Sequence, residues 1–97
     1  MIQSFRRTGT EDIFNGRDTR AARGTCPSSL WTVAARKLEQ LDSADELRDL
    51  RSPPGNHLEV LRGRRSGQNS IRINDQYRIC FVWSDAGPWD VEIIDYH

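Results

Sequence analysis

Hydrophobic positions along the chain follow two different periods, and the change comes near residue 57. In the first half they recur at helical spacing. Leu30, Val33, Ala34, Lys37, Leu38 and Leu41 fall on one helical stripe, with only the Lys37 stem interrupting it. This predicts a main helix over about 30–42, capped by Ser28 or Ser29. Upstream, MIQSF (1–5) alternates weakly and predicts a short strand. Thr8 or Thr10 can cap a short helix through Phe14, which Asn15-Gly16 closes. RDTRAARGTCPSS (17–29) is polar and without period, and reads as a mobile loop. ADELRDL (44–50) adds a further helical turn or two before Ser52-Pro53-Pro54-Gly55-Asn56 stops it.

Beyond that stop the period is two. HLEVLRG (57–63) reads as a strand with Leu58 and Val60 on one face. SIRI (70–73) and QYRICFVW (76–83) flank a tight Asn74-Asp75 turn, and WDVEIIDYH (89–97) follows the turn at 84–88. Short turns imply an antiparallel meander. The expected fold is α+β: one domain, a twisted antiparallel sheet with two or three N-terminal helices on one face.

Composition narrows the class. Apolar residues are 36% and charged residues 29% of 97, polar for a globular chain but not the signature of disorder. No apolar run approaches the ~20 residues that span a bilayer, and MIQSFRR lacks an apolar signal region. Cys26 and Cys80 have no metal-ligand spacing and read as reduced thiols of a cytosolic protein.

Net charge is zero but uneven. Residues 51–82 carry Arg51, Arg62, Arg64, Arg65, Arg72 and Arg78 against Glu59 and Asp75, whereas the C-terminal segment is acidic. Of fourteen cations only Lys37 is not Arg. The planar guanidinium pairs with phosphate in a bidentate manner, so a polyanionic partner and a merely solvated surface both fit the charge.

The stretch GNHLEVLRGRRSGQNSIRINDQYRICFVW, with VEIIDYH at the end, resembles the HigB toxins of the RelE superfamily. The resemblance rests on MI-x-SF, an L-(K/R)-G before a short turn, an R-x-N-x-Q-(W/Y)-R hairpin, and the tripeptide Asp95-Tyr96-His97. It implies a RelE-like fold and a toxin that cleaves mRNA in the ribosomal A site, without metal or cofactor, by attack of the ribose 2′-hydroxyl. It further implies a small helix-turn-helix antitoxin of the HigA type, contact with operator DNA only through that antitoxin, and 16S rRNA as the ribosomal surface. Carried over by position, the catalytic residues are Arg62, Arg78, Asp95, Tyr96 and His97, with Asn74 and Gln76 of the hairpin among the RNA contacts. The sequence departs from the pattern at Arg62 (often Lys), Tyr77 (more often Trp) and Glu59 (basic or His in some relatives).

The residues allow roles to be weighed independently. Transesterification needs a base for the 2′-hydroxyl, charge on the phosphorane offset, and a proton for the 5′ oxygen. Arginine suits the second and not the others. His97 can move a proton near neutrality; Tyr96 can do so only if nearby arginines lower its pKa; Asp95 can orient His97 or meet a partner. Arg72 and Arg78 are expected on a wet sheet face, with Arg78 the one reaching the site, or else as solvated strand residues. Arg64 and Arg65 in the turn suit rRNA phosphates. His57 reads as exposed, Trp31, Trp83 and Trp89 as core, and Cys80 as a strand filler rather than a nucleophile. Three functions compete: a ribosome-dependent nuclease, a non-catalytic RNA- or ribosome-binding inhibitor, and a structural partner of a repressor. Only the Asp-Tyr-His end separates the first two.

Overall fold

The computed structural model describes residues 1–96, so His97 lies outside the described residues. Helix α1 spans Thr8–Phe14 and ends at Asn15 and Gly16, the glycine taking φ +72°, as the Asn-Gly pair predicts. Its N-cap is Arg7, with no side-chain cap bond. Thr10, expected as a cap, is buried instead, and its Oγ1 accepts the Ile93 N–H at 3.1 Å.

The 17–29 stretch is not simply a loop, and this corrects the sequence reading. Helix α2 spans Arg20–Thr25, and a 3₁₀ turn follows at Ser28–Leu30. Thr19 caps α2: its Oγ1 accepts from Ala22 N at 3.0 Å and donates to Asp12 Oδ2 at 2.7 Å. Ala22 and Cys26 are buried. So short a helix is marginal alone and depends on packing, and one buried turn leaves no period to read. The packing is close at Gly9, where a Cβ would sit 2.4 Å from the Ala21 carbonyl oxygen.

Helix α3, Trp31–Ser43, buries Ala34, Leu38 and Leu41, the predicted stripe. Ser28 and Ser29 lie in the preceding 3₁₀ turn, and Leu30 occupies the cap position without a side-chain bond. The Lys37 ammonium leaves the stripe to hydrogen-bond the buried Asn56 Oδ1. Partial burial, with Arg36 nearby, lowers its pKa. Residues 47–51 form a 3₁₀ turn rather than an α-helix, seating Leu50 in the core.

The sheet is an antiparallel meander in the order β1-β2-β3-β4. Its strands are β1 Glu59–Val60, β2 Asn69–Arg72, β3 Tyr77–Ser84 and β4 Gly87–Asp95. One face carries Ile71, Ile79, Phe81, Val91 and Ile93 into a single core with the helices. The expected strand 57–63 shrinks to two paired residues. Val60 is 72% exposed while Leu61 is buried, because the chain leaves the ladder into a 3₁₀ turn at Gly63–Arg65. Between β2 and β3, Asn74 Oδ1 accepts from Gln76 N at 2.9 Å and Tyr77 N at 2.7 Å, closing an Asx turn.

Residues 3–6 run parallel to β4. Gln3 N donates to Pro88 O at 2.8 Å, Val91 N to Ser4 O at 3.1 Å, and Arg6 N to Val91 O at 3.0 Å. The β3–β4 register shifts by one between Cys80 and Val82, with Asp90 at φ +52°. This is a bulge on β4, and it turns Asp90 N to Ser4 Oγ at 2.9 Å. Trp31 and Trp83 pack against the core as expected. Trp89 does not: it is 43% exposed and donates to Ser84 Oγ.

Candidate active site on the sheet face opposite the helices

Alternation places Ser70, Arg72, Arg78, Cys80, Glu92 and Ile94 on the other face. Register sets them in two rows, Ser70–Cys80–Glu92 and Arg72–Arg78–Ile94. Arg72 and Arg78 are thus direct cross-strand partners, and the intervening turn does not send them to different faces. Arg72 is half-buried and ion-pairs with Asp75 across its own turn.

The expectation that Arg78 is a wet side chain is overturned: it is only 7% exposed. Its Nε donates to Ser70 Oγ at 2.8 Å, and Nη2 donates to Ser70 O at 3.3 Å and to the His57 carbonyl. His57 is exposed, as read, but its backbone turns left-handed (φ +44°). Of five guanidinium donors, Nε and Nη2 are engaged, so Nη1 is the edge left to face a ligand. Glu59 Oε1 lies 3.9 Å from it. Over the guanidinium lies the Tyr96 ring, 5.6 Å from Cζ to centroid, at cation–π distance.

Tyr96 is half-exposed, and its N–H donates to Gln76 O at 2.6 Å. Gln76 Nε2 donates to Asp95 Oδ2 at 3.0 Å. The β2–β3 turn therefore clamps the end of β4. Beside it opens a pocket of about 300 Å³, lined by Arg65, Ile94, Asp95 and Tyr96. A second, of about 330 Å³, shares Arg65, Ile94 and Asp95 and extends to Arg7 and Thr25.

Arg65 reaches this place because Glu92 holds it. Glu92 is 2% exposed, and its Oε1 accepts from Arg65 Nη1 at 2.9 Å. Arg7 Nε lies 3.2 Å from Oε2 and Arg6 Nε 3.9 Å from Oε1. The Glu92 hydrogen bond keeps Arg65 more firmly protonated than usual. Next to Glu92, Cys80 is buried, and desolvation pushes its thiol up to about 11. It is the strand filler the sequence suggested, not a thiolate nucleophile.

Of the residues singled out from the sequence, Arg65, Arg78, Asp95 and Tyr96 come together, with Gln76 bonded to them and Arg72 in the adjoining row. Asn74 spends its side-chain oxygen on the turn. Arg62 and Arg64 are exposed on the loop around Gly63 and make no side-chain bond among the described residues. His97 lies outside the described residues. Sequence reasoning missed Ser70, Glu92, Arg6 and Arg7. The polar phase of VEIID marks Glu92 as facing away from the core, but only the fold supplies the arginines that bury it. Among the described residues, no three His, Cys, Asp or Glu side chains gather to hold a metal ion, and no helix is long and apolar enough to cross a membrane.

A family model described as the RelE-like toxin of the type II toxin–antitoxin system HigB matches residues 3–97. The chain is similar to Toxin HigB-1 of Vibrio cholerae serotype O1, 52% identical over 60 residues, which is 62% of this chain and 63% of that protein. It is also similar to an uncharacterized protein of Haemophilus influenzae, 44% identical over 59 residues, 61% of this chain and 58% of the relative. The matched stretch spans less than two thirds of either relative's length. With its α+β architecture and that match over nearly its whole length, the chain belongs to the RelE-like HigB toxins of type II toxin–antitoxin systems.

Proposed function

We propose that this toxin is a ribosome-dependent endoribonuclease that cleaves mRNA by attack of the substrate's own 2′-hydroxyl on the adjacent phosphate. The observation that carries the reading is the Tyr96 ring over the Arg78 guanidinium, with Tyr96 and Arg65 lining one pocket. Such a site joins phosphate-binding cations to a side chain able to move a proton. In this reading Arg65 and the Nη1 edge of Arg78 offset charge on the phosphorane. Tyr96 or His97 transfers protons, and Asp95, braced by Gln76, orients the C-terminal groups. Arg62, Arg64 and Arg72 sit outside the pocket and contact phosphates of 16S rRNA or of the mRNA flanks. The toxin acts in the cytosol, is neutralised by a helix-turn-helix antitoxin of the HigA type, and meets operator DNA only through it.

The test is expression of wild type, Tyr96→Phe and Tyr96→Phe/His97→Ala, followed by mapping of mRNA 5′ ends. New 5′ ends with wild type that fall by about 10²–10⁴-fold in the variants, the usual worth of acid–base groups, support the nuclease. Intact mRNA with arrested translation points to a blocking protein. No growth effect and no RNA change point to a docking role only.

A further inference from the structure

Three guanidinium groups, Arg6, Arg7 and Arg65, surround the buried carboxylate of Glu92. A buried carboxylate needs a partner, but one arginine would neutralise it. Two positive charges remain in excess, on side chains that are 57% and 69% exposed at Arg6 and Arg7. Of these two, Arg7 lines the second pocket, of about 330 Å³, together with Arg65. Asp95 lines it too, so the formal balance of these five groups is three cations against two anions. That pocket continues into the first through Arg65, Ile94 and Asp95.

We infer that the Arg6–Arg7–Arg65 cluster around Glu92 is a subsite for a backbone phosphodiester of single-stranded RNA, neighbouring the phosphate seated by Arg78 and Tyr96. The inference rests on the nuclease reading and deepens it: the strand runs from the Tyr96 pocket across Arg65 to Arg7. Glu92 hydrogen-bonds Arg65 through Nη1 and holds Arg6 and Arg7 only at ion-pair distance, which leaves N–H donors on all three guanidinium groups for the ligand. Continuity with the Tyr96 pocket favours RNA over an acidic protein segment, since one extended strand carries phosphates at regular intervals through both.

The experiment measures binding of a fluorescent, uncleavable 2′-O-methyl RNA oligonucleotide by full-length toxin across a salt series. Losing one phosphate contact lowers the slope of log K against log salt by about 0.7 for a single strand. Arg6→Gln/Arg7→Gln is expected to show that reduction and at least several-fold weaker binding at low salt. Arg6→Lys/Arg7→Lys, which keeps the charges, should retain the slope. Equal thermal melting of the variants confirms that the fold is held; Arg7→Gln alone, which leaves Glu92 two partners, provides the comparison if the double variant melts early. An unchanged slope and affinity in both Gln variants overturns the subsite. So does a variant that binds RNA normally but no longer binds a poly-glutamate peptide, which would assign the cluster to an acidic protein. New mRNA 5′ ends on expression of wild type with a silent Arg6/Arg7 result sink the subsite alone, whereas a wild type that binds no RNA and yields no new mRNA 5′ ends on expression sinks both readings.

Discussion

Arg78→Ala tests the corrected position of this arginine. The substitution removes the donors to Ser70 Oγ, Ser70 O and the His57 carbonyl. A hydrogen bond from a charged donor is worth about 1.5–3 kcal/mol, and a buried acceptor left unsatisfied costs about 1–3 kcal/mol. The two Ser70 acceptors are buried, whereas water can reach the carbonyl of exposed His57. Allowing for non-additivity, the loss is about 3 kcal/mol. For a domain of this size that lowers Tm by about 12–24 °C. Arg72→Ala is the control: the same residue type in the same row, but half-buried and paired to an exposed Asp75, where a loss of at most about 1 kcal/mol is expected. Thermal unfolding of the two variants, followed by circular dichroism, reads the difference directly. An Arg78→Ala protein that melts within about 4 °C of wild type, the low-end shift for one kcal/mol, would mean that the network does not support the sheet. The same reasoning makes loss of toxicity in Arg78→Ala ambiguous between chemistry and folding, so Tyr96→Phe, at a half-exposed position, is the cleaner probe of catalysis.

Other outcomes follow from particular contacts. Thr19→Ala should cost about 1 kcal/mol through the lost cap of α2, seen as a lower urea midpoint; no change would mean that α2 contributes nothing to stability. Leu38→Ala, at a fully buried position, should cost about 2–5 kcal/mol in the same titration, and an unaltered midpoint would remove α3 from the core. Because folding raises the Cys80 thiol from its ordinary 9.0 to about 11, the native state holds that proton more tightly than the unfolded chain. Its contribution to stability is complete below pH 9 and is lost as pH rises toward 11. Cys80→Ala should flatten the alkaline fall in Tm, and an identical pH profile would refute the assignment.

Much of the fold is legible in the chain because long periodic segments announce their buried face. The α3 stripe and the β2–β4 alternation needed only spacing. Helix α2 did not announce itself, since six residues with one buried side chain carry no measurable period and are held by α1 and the Thr19 cap. The site was half legible. Arg78, Tyr96, Asp95 and Arg65 stood out by residue type and motif, but the burial of Arg78 depends on Ser70 and the His57 carbonyl, contacts that only cross-strand register creates. Glu92 looked like an ordinary polar-phase residue of an edge strand. The arginines that surround it come from positions 6, 7 and 65, and nothing local in the sequence links those positions.

The pairing of residues 3–6 with 88–91 has a temporal meaning. Those two segments lie at a sequence distance of about eighty residues, so their union requires closing almost the whole chain, an entropic cost that local helices do not face. The strand that completes this union also delivers Glu92 and Asp95, with Tyr96 directly behind. Closure of the chain's two distant ends and assembly of the candidate site are thus one and the same long-range event.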